Sequence, residues 1–139
     1  MERIEATIRH QLKLNFNLYD RFQEDYDPEK NIISLRGPSR YEVHSHYNER
    51  GRLIHFRNSY GYSEWRDYDE NGMEIHFSNS RNEEAWARYD KWGNKIYYKD
   101  SQGFEECAEY NEYNEIIFYH NSDGVEFNEN RGLTFSDKK

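Results

Sequence analysis

The chain has 139 residues, enough for one modest core, and 35% of them are hydrophobic by a count that includes 13 tyrosines. Aromatics reach 17%, which argues against disorder, and mean hydropathy is −1.31, with no apolar run near the roughly 18 residues of a membrane-spanning helix. The formal charge is −8, and the single cysteine, Cys107, excludes a disulfide framework and a four-cysteine zinc site and fits a reducing cytoplasm.

The first 25 residues read as a cap segment. Met-Glu-Arg-Ile-Glu-Ala is no secretory signal. Leu12, Leu14, Phe16 and Leu18 alternate with polar residues, a strand signal of period two, and Ile4 and Ile8 before them fit a short helix or another strand. Such a segment would cover one end of an open ladder.

From residue 26 a 21-residue repeat takes over. Tyr26, Tyr47, Tyr68, Tyr89 and Tyr110 are evenly spaced, and each is followed by Asp or Asn. With each tyrosine as position zero, Gly51, Gly72 and Gly93 occupy position four, where the first and last copies have Lys30 and Asn114. Position seven is Ile33, Ile54, Ile75, Ile96 and Ile117, and position nine is Leu35, Phe56, Phe77, Tyr98 and Tyr119. Ser59, Ser80, Ser101 and Ser122 hold position twelve, with Pro38 in the first copy, and Trp65 and Trp86 share position eighteen. Asx- and Gly-bearing clusters between runs of Ile, Tyr, Phe and Trp are hairpin chemistry. The expected architecture is all-β: a twisted antiparallel meander of five hairpins over 26–139, one domain with its cap.

Parity of the columns calls for an odd residue in each repeat. We place it in the turn after the tyrosine, a three-residue Asp-x-x-Gly turn with left-handed glycine, and read the mid-repeat Asn-Ser-x-Gly turn as four residues long. One face then collects the isoleucines, the aromatics of position nine, Trp65 and Trp86. The other collects the repeat tyrosines, Tyr41, Tyr62 and Phe104, with His55, His76, Tyr97 and Phe118. Ten strands at about 4.8 Å spacing would extend roughly 48 Å.

Tyr68-Asp69-Glu70-Asn71-Gly72, Tyr89-Asp90-Lys91-Trp92-Gly93-Asn94 and Tyr47-Asn48-Glu49-Arg50-Gly51-Arg52-Leu53 resemble the Y-D-x-x-G-[NR]-L motif of the YD repeats. Those repeats occur in Rhs and related bacterial toxin proteins as strings of β-hairpins that spiral into a hollow shell. The resemblance covers about residues 26–130 and implies a hairpin array. Five copies are too few for a shell, the motif carries no catalytic residues, and the function does not transfer with the fold.

The acid is unevenly placed. Glu105, Glu106, Glu109, Glu112, Glu115, Asp123, Glu126 and Glu129 fall within residues 101–130, which hold no Lys or Arg. Phosphate binding needs clustered bases, so nucleic acid is not the expected ligand there. The segment reads as a solvated surface, as a metal-binding patch, or as a docking surface for a basic protein. In its sharp form the docking surface is nucleic-acid mimicry: carboxylates at roughly phosphate spacing that block a nuclease or other nucleic-acid-binding protein.

Other sites read less sharply. His44 and His46 would share a strand face, and His55 and His76 share a repeat position, but two imidazoles do not complete a zinc site, and His120 has no evident partner. Calcium at Asp69 or Asp90 would need several more oxygen ligands. Glu42, Glu84, Glu105 and Glu126 recur at position sixteen, a ladder rather than one acid–base pair. No catalytic triad or phosphate loop stands out. Neither enzyme activity nor a cofactor or metal is expected. Tyr62, Trp65, Trp86 and Phe104 form an alternative aromatic platform for sugar rings. The leading expectation is a non-enzymatic, acidic protein-binding module of the cytoplasm, an inhibitor of the immunity or phage anti-defence kind, with a structural repeat fragment as the remaining reading.

Overall fold

A computed structural model of the chain describes residues 23–136. The expected cap lies outside the described residues except for its last three positions, which open the first strand. Twelve strands follow: β1 Gln23–Asp27, β2 Ile32–Arg36, β3 Glu42–Tyr47, β4 Leu53–Asn58, β5 Ser63–Tyr68 and β6 Glu74–Asn79, then β7 Glu84–Tyr89, β8 Lys95–Asp100, β9 Glu105–Tyr110, β10 Ile116–Asn121, β11 Val125–Asn128 and β12 Gly132–Phe135. They form one antiparallel sheet in sequence order, the all-β hairpin meander expected. The strands beyond ten are β1, which carries Tyr26, and β12, the start of a sixth copy. The chain divides into two units, one ending at Arg66 and one beginning at Asp67.

Asx chemistry builds every turn from residue 48 to residue 125. Asp90 Oδ1 accepts the backbone N–H groups of Trp92 and Asn94, both at 2.9 Å, and Asn58 Oδ1 accepts those of Tyr60 and Tyr62 at 2.9 and 3.2 Å. A left-handed residue closes each turn three positions after the Asx: Gly93 at φ 86°, Gly61 at φ 88°, and asparagine at 82 and 114, both at φ 63°. Asn and Gly tolerate that region best, so Asn114 keeps the turn of the copy that lost its glycine.

The mid-repeat turn differs from the one expected. Gly51 N–H bonds Asn48 O at 3.0 Å and Asn48 N–H bonds Arg52 O at 2.9 Å. The mid-repeat turn makes the same pair, Gly61 to Asn58 at 3.3 Å and Asn58 to Tyr62 at 3.0 Å. Both turns therefore have three-residue loops, and the parity change is made elsewhere.

It is made by a β-bulge at position seven. Leu53 pairs Tyr47 and His55 pairs His46, which leaves Ile54 unpaired between them. Ile96 is skipped in the same way between Lys95↔Tyr89 and Tyr97↔Arg88, and Ile117 between Ile116↔Tyr110 and Phe118↔Glu109. The first copy has no bulge, because Asp27↔Ile32 and Tyr26↔Ile33 stay in step across a loop closed by Asn31 at φ 55°.

This register reassigns the faces, because a one-residue slip turns a strand over. Trp65 pairs His55 and Trp86 pairs His76, so both tryptophans stand on the histidine face and not with position nine. The repeat tyrosines move the other way: Tyr47 stands two residues from Ser45, which pairs Phe56. Tyr62 and Phe104 follow them, against Phe56 at 6.2 Å and Tyr98 at 6.1 Å. Tyr41 likewise packs against the core of the first unit.

That core consists of Ile33 and Leu35, each 1% exposed, with Val43 and Tyr47, flanked by Tyr26, Tyr41, Leu53 and Phe56. Cross-strand pairing explains it, since Tyr26↔Ile33↔Ser45↔Phe56 and Leu35↔Val43 are neighbours on one face. Burial pushes the Tyr47 phenol up to about 12, against a hydrogen bond with Ser45.

The serine column joins hairpin to hairpin. Ser101 N–H bonds Glu84 O at 2.8 Å, and Glu84 N–H returns to Ser101 Oγ at 2.9 Å. Ser122 makes the same two bonds to Glu105, and Ser59 to Glu42.

Two substitutions test these devices by urea unfolding. Ser101→Ala should cost about 1 kcal/mol, the worth of one hydrogen bond. Gly103 is at φ 94° with nothing within 4 Å of a Cβ placed there. Gly103→Ala should therefore cost about 1–2 kcal/mol through backbone conformation alone, and Gly103→Asn distinctly less. Equal stability of Gly103→Ala and wild type would refute the left-handed turn.

Candidate functional site: an acidic groove on the histidine face

The histidine face carries paired rings. His55 stacks on Trp65 at 5.1 Å between centroids with 13° between planes, and His76 stacks on Trp86 at 5.5 Å and 16°. The two imidazoles occupy the same repeat position but titrate in opposite directions. Burial holds His55 below the usual range, helped by Arg57 and His46, and its Nε2 is buried with no hydrogen-bond partner among the described residues. His76 lies above the usual range because Glu84 Oε1 is 2.7 Å from Nε2 and Asp67 Oδ2 is 3.1 Å from Nδ1, which together outweigh its partial burial.

The eight carboxylates of residues 101–130 do not form one surface. Glu105, Glu109 and Glu126 are on the histidine face, opposite Lys99, Phe118 and His120. Glu106 is on the opposite face, where Tyr119 Oη donates to it at 2.8 Å. Glu112, Glu115 and Glu129 stand at one rim of the sheet, at the turns following β9 and β11, and Asp123 is in a turn at the other rim. Glu105 is itself a partner of Tyr97, whose Oη donates to it at 2.9 Å and whose phenol is pushed up mainly by that bond.

Two of these acids, Glu109 and Glu129, border hollows that the residue columns do not foreshadow. The larger is a groove of about 540 Å³ that crosses β8, β9 and β10 on the histidine face. Trp92, Ile96, Ile117 and Phe118 give it an apolar lining, with Cys107 and His120 beside them and Asp90 and Glu109 as its acids. A second hollow of about 250 Å³ shares Glu109, Ile117 and Phe118 and runs on to Asn128, Glu129 and Asn130. No Lys or Arg lines either hollow. Ile96 and Ile117 reach this face because they are bulge residues, which strict alternation would not place there.

Asp90 is built into its turn. Burial acts to raise its carboxyl, yet the backbone and side chain of Asn94 and the N–H groups of Trp92 and Gly93 hold it below the usual carboxylate range. Trp92 is 52% exposed, and Lys91 Nζ lies 4.4 Å from its ring centroid, a cation–π contact.

Of the residues of the alternative aromatic platform, Tyr62 and Trp65 are on opposite faces of the first unit, Trp86 and Phe104 are on opposite faces of the second, and each tryptophan has an imidazole on one side. Among the described residues no group of three His, Cys, Asp or Glu is placed to hold a metal ion, and no helix is long and apolar enough to cross a membrane. His44 is 2.8 Å from Ser34 Oγ and 3.4 Å from Glu42 Oε2. Models of known protein families and curated proteins give no match to this chain.

The two histidines make a titration prediction. Because the folded pKa of His76 is raised, its stabilisation is complete below the unfolded value of about 6.5 and fades as pH rises through the folded value. The folded pKa of His55 is lowered, so it costs stability as pH falls through about 6.5 toward its folded value. NMR titration should give a midpoint above 6.5 for His76 and below 6.5 for His55, and His76→Gln should flatten stability above pH 6.5. Coincident midpoints would contradict the Asp67–His76–Glu84 clamp.

Proposed function

We propose that this chain is a non-enzymatic protein-binding module whose carboxylate-rich repeats engage a basic protein. The observation that carries the reading is the groove with its neighbouring hollow: the groove is apolar and aromatic at its floor and bordered by Asp90 and Glu109, the hollow adds Glu129, and neither is lined by Lys or Arg. Its surroundings favour the same partner. Residues 67–136 contain sixteen Asp and Glu against six Lys and Arg, whereas residues 23–66 contain seven of each. A field of one sign around an apolar patch speeds encounter with an oppositely charged protein and disfavours nucleic acid.

The sharper form is an inhibitor, acting in the cytoplasm of a bacterial or phage-infected cell, that occupies the basic surface of a nucleic-acid-handling protein. The spacing of acids on the histidine face suits docking better than imitation of a phosphate backbone. Glu84, Glu105 and Glu126 stand on alternate strands, about 9.6 Å apart at two strand spacings, and Lys99 pairs Glu105. The YD-like motif fits this reading as a hairpin scaffold, with Asx turns fixing each copy.

Charge reversal tests the proposal. Glu105→Lys, Glu109→Lys and Glu126→Lys together reverse the three histidine-face acids of residues 101–130 and leave Glu106 on Tyr119. Wild-type protein immobilised in lysate of its native host should retain a basic protein through nuclease digestion and release it as salt rises. The triple variant, with an unchanged circular dichroism spectrum, should retain none. Equal capture by both proteins would sink the reading.

A further inference from the structure

The bulge at Ile54 also decides which side chains meet in the first unit. It sets His55 opposite His46, where an unbroken ladder running on from Leu53↔Tyr47 would set it opposite Ser45. The row across the histidine face is Ile32↔His46↔His55↔Trp65. Side chains at these two repeat positions, nine residues apart, reach one another in the copies that follow. Asp67 Oδ2 lies 3.1 Å from His76 Nδ1, and the Arg88 guanidinium lies 4.7 Å from the Tyr97 ring centroid. Those pairs match anion to imidazole and cation to ring. The first unit instead opposes two imidazoles, and His55 Nε2 is buried with no hydrogen-bond partner among the described residues.

From this juxtaposition we infer that His46 and His55 chelate a late divalent transition-metal ion, of the copper(II) or nickel(II) class, through one nitrogen of each imidazole. Directly opposed side chains have Cβ atoms about 4.5–5.5 Å apart. Two metal–nitrogen bonds of about 2.0–2.1 Å span at most about 4 Å, so a small convergence of the rings closes the chelate. These ions accept tetragonal sets of nitrogen and oxygen, with water completing what two imidazoles begin. Structural zinc is a poorer match, because it takes four protein ligands and no group of three is placed to hold a metal among the described residues. Burial, with Arg57 and His46, holds His55 below its usual range and therefore in the neutral form that ligates.

The neighbouring histidines are already engaged. His44 Nδ1 is 2.8 Å from Ser34 Oγ and its Nε2 is 3.4 Å from Glu42, while both nitrogens of His76 face carboxylates. Arg57 stands two residues from His55 on the same face, opposite His44, and works against any cation there. The site lies in the first unit and is independent of the docking reading.

Titration of the full chain with nickel(II), followed by tryptophan fluorescence, tests the chelate. Trp65 stacks on His55 at 5.1 Å, so a nickel ion bound there quenches it. Nickel(II) is the probe because copper(II) also oxidises thiols, and Cys107 is a free thiol. The wild type should show saturable quenching that EDTA reverses and magnesium does not produce. His46→Gln leaves the His55–Trp65 stack in place. It and His55→Gln should each raise the half-saturating concentration at least about tenfold with circular dichroism unchanged, since either loss ends the chelate. His46→Asn should repeat that result, and the double variant should be no weaker than either single one. His76→Gln should titrate as the wild type does, and Arg57→Gln should bind more tightly. Equal half-saturation of wild type and His46→Gln would leave a single imidazole and overturn the inference. Absence of saturable quenching in the wild type would overturn it as well.

Discussion

An unpaired residue at position seven of three repeats decides what this sheet presents. Identical three-residue turns at both ends of a hairpin would keep every strand in simple alternation, and a 21-residue period would then set successive copies out of phase. The bulge at Ile54, Ile96 and Ile117 absorbs the odd residue. It places the tryptophans opposite the histidines, gathers the tyrosines with the aromatics of position nine, and turns two isoleucines toward the groove. The first copy lacks the bulge and uses its position-seven residue differently, as the core residue Ile33.

The bulge also explains which parts of the fold were legible in the sequence. The Tyr, Asx, Gly and Ser columns specify strands and turns directly, because each residue type acts locally. Asn58 and Asp90 hold turn N–H groups, and Gly93 and Asn114 take the left-handed position. Face assignment is a different kind of problem. An odd residue placed in a turn or in a strand leaves the same 21-residue period, so the columns cannot distinguish the two, whereas strand pairings such as His55 with Trp65 and His76 with Trp86 do. The serine column also hid its purpose. Ser101 looks like an ordinary turn residue, yet it bonds the backbone of Glu84, seventeen residues earlier.

The site was less legible than the fold for the same reason. Eight acids in a 30-residue stretch suggest one surface, but strand alternation sends Glu105 and Glu106 to opposite faces and the turns carry Glu112, Glu129 and Asp123 to the rims. The acidity survives as a property of the second unit and not as a continuous patch. The groove is formed by bulge residues and by Trp92 in a turn, positions that a reading of strand faces passes over. Trp65 and Trp86 each stack on an imidazole, a setting that their shared repeat position does not reveal.

Cross-strand nuclear Overhauser effects from a backbone-assigned sample test the register most directly. Trp86 should face both His76 and Lys99, and Cys107 both Tyr97 and His120, with Ile96 and Ile117 lacking a direct partner. Trp86 opposite Phe77, or Ile117 paired with Glu109 in an unbroken ladder, would contradict that register and dismantle the groove with it.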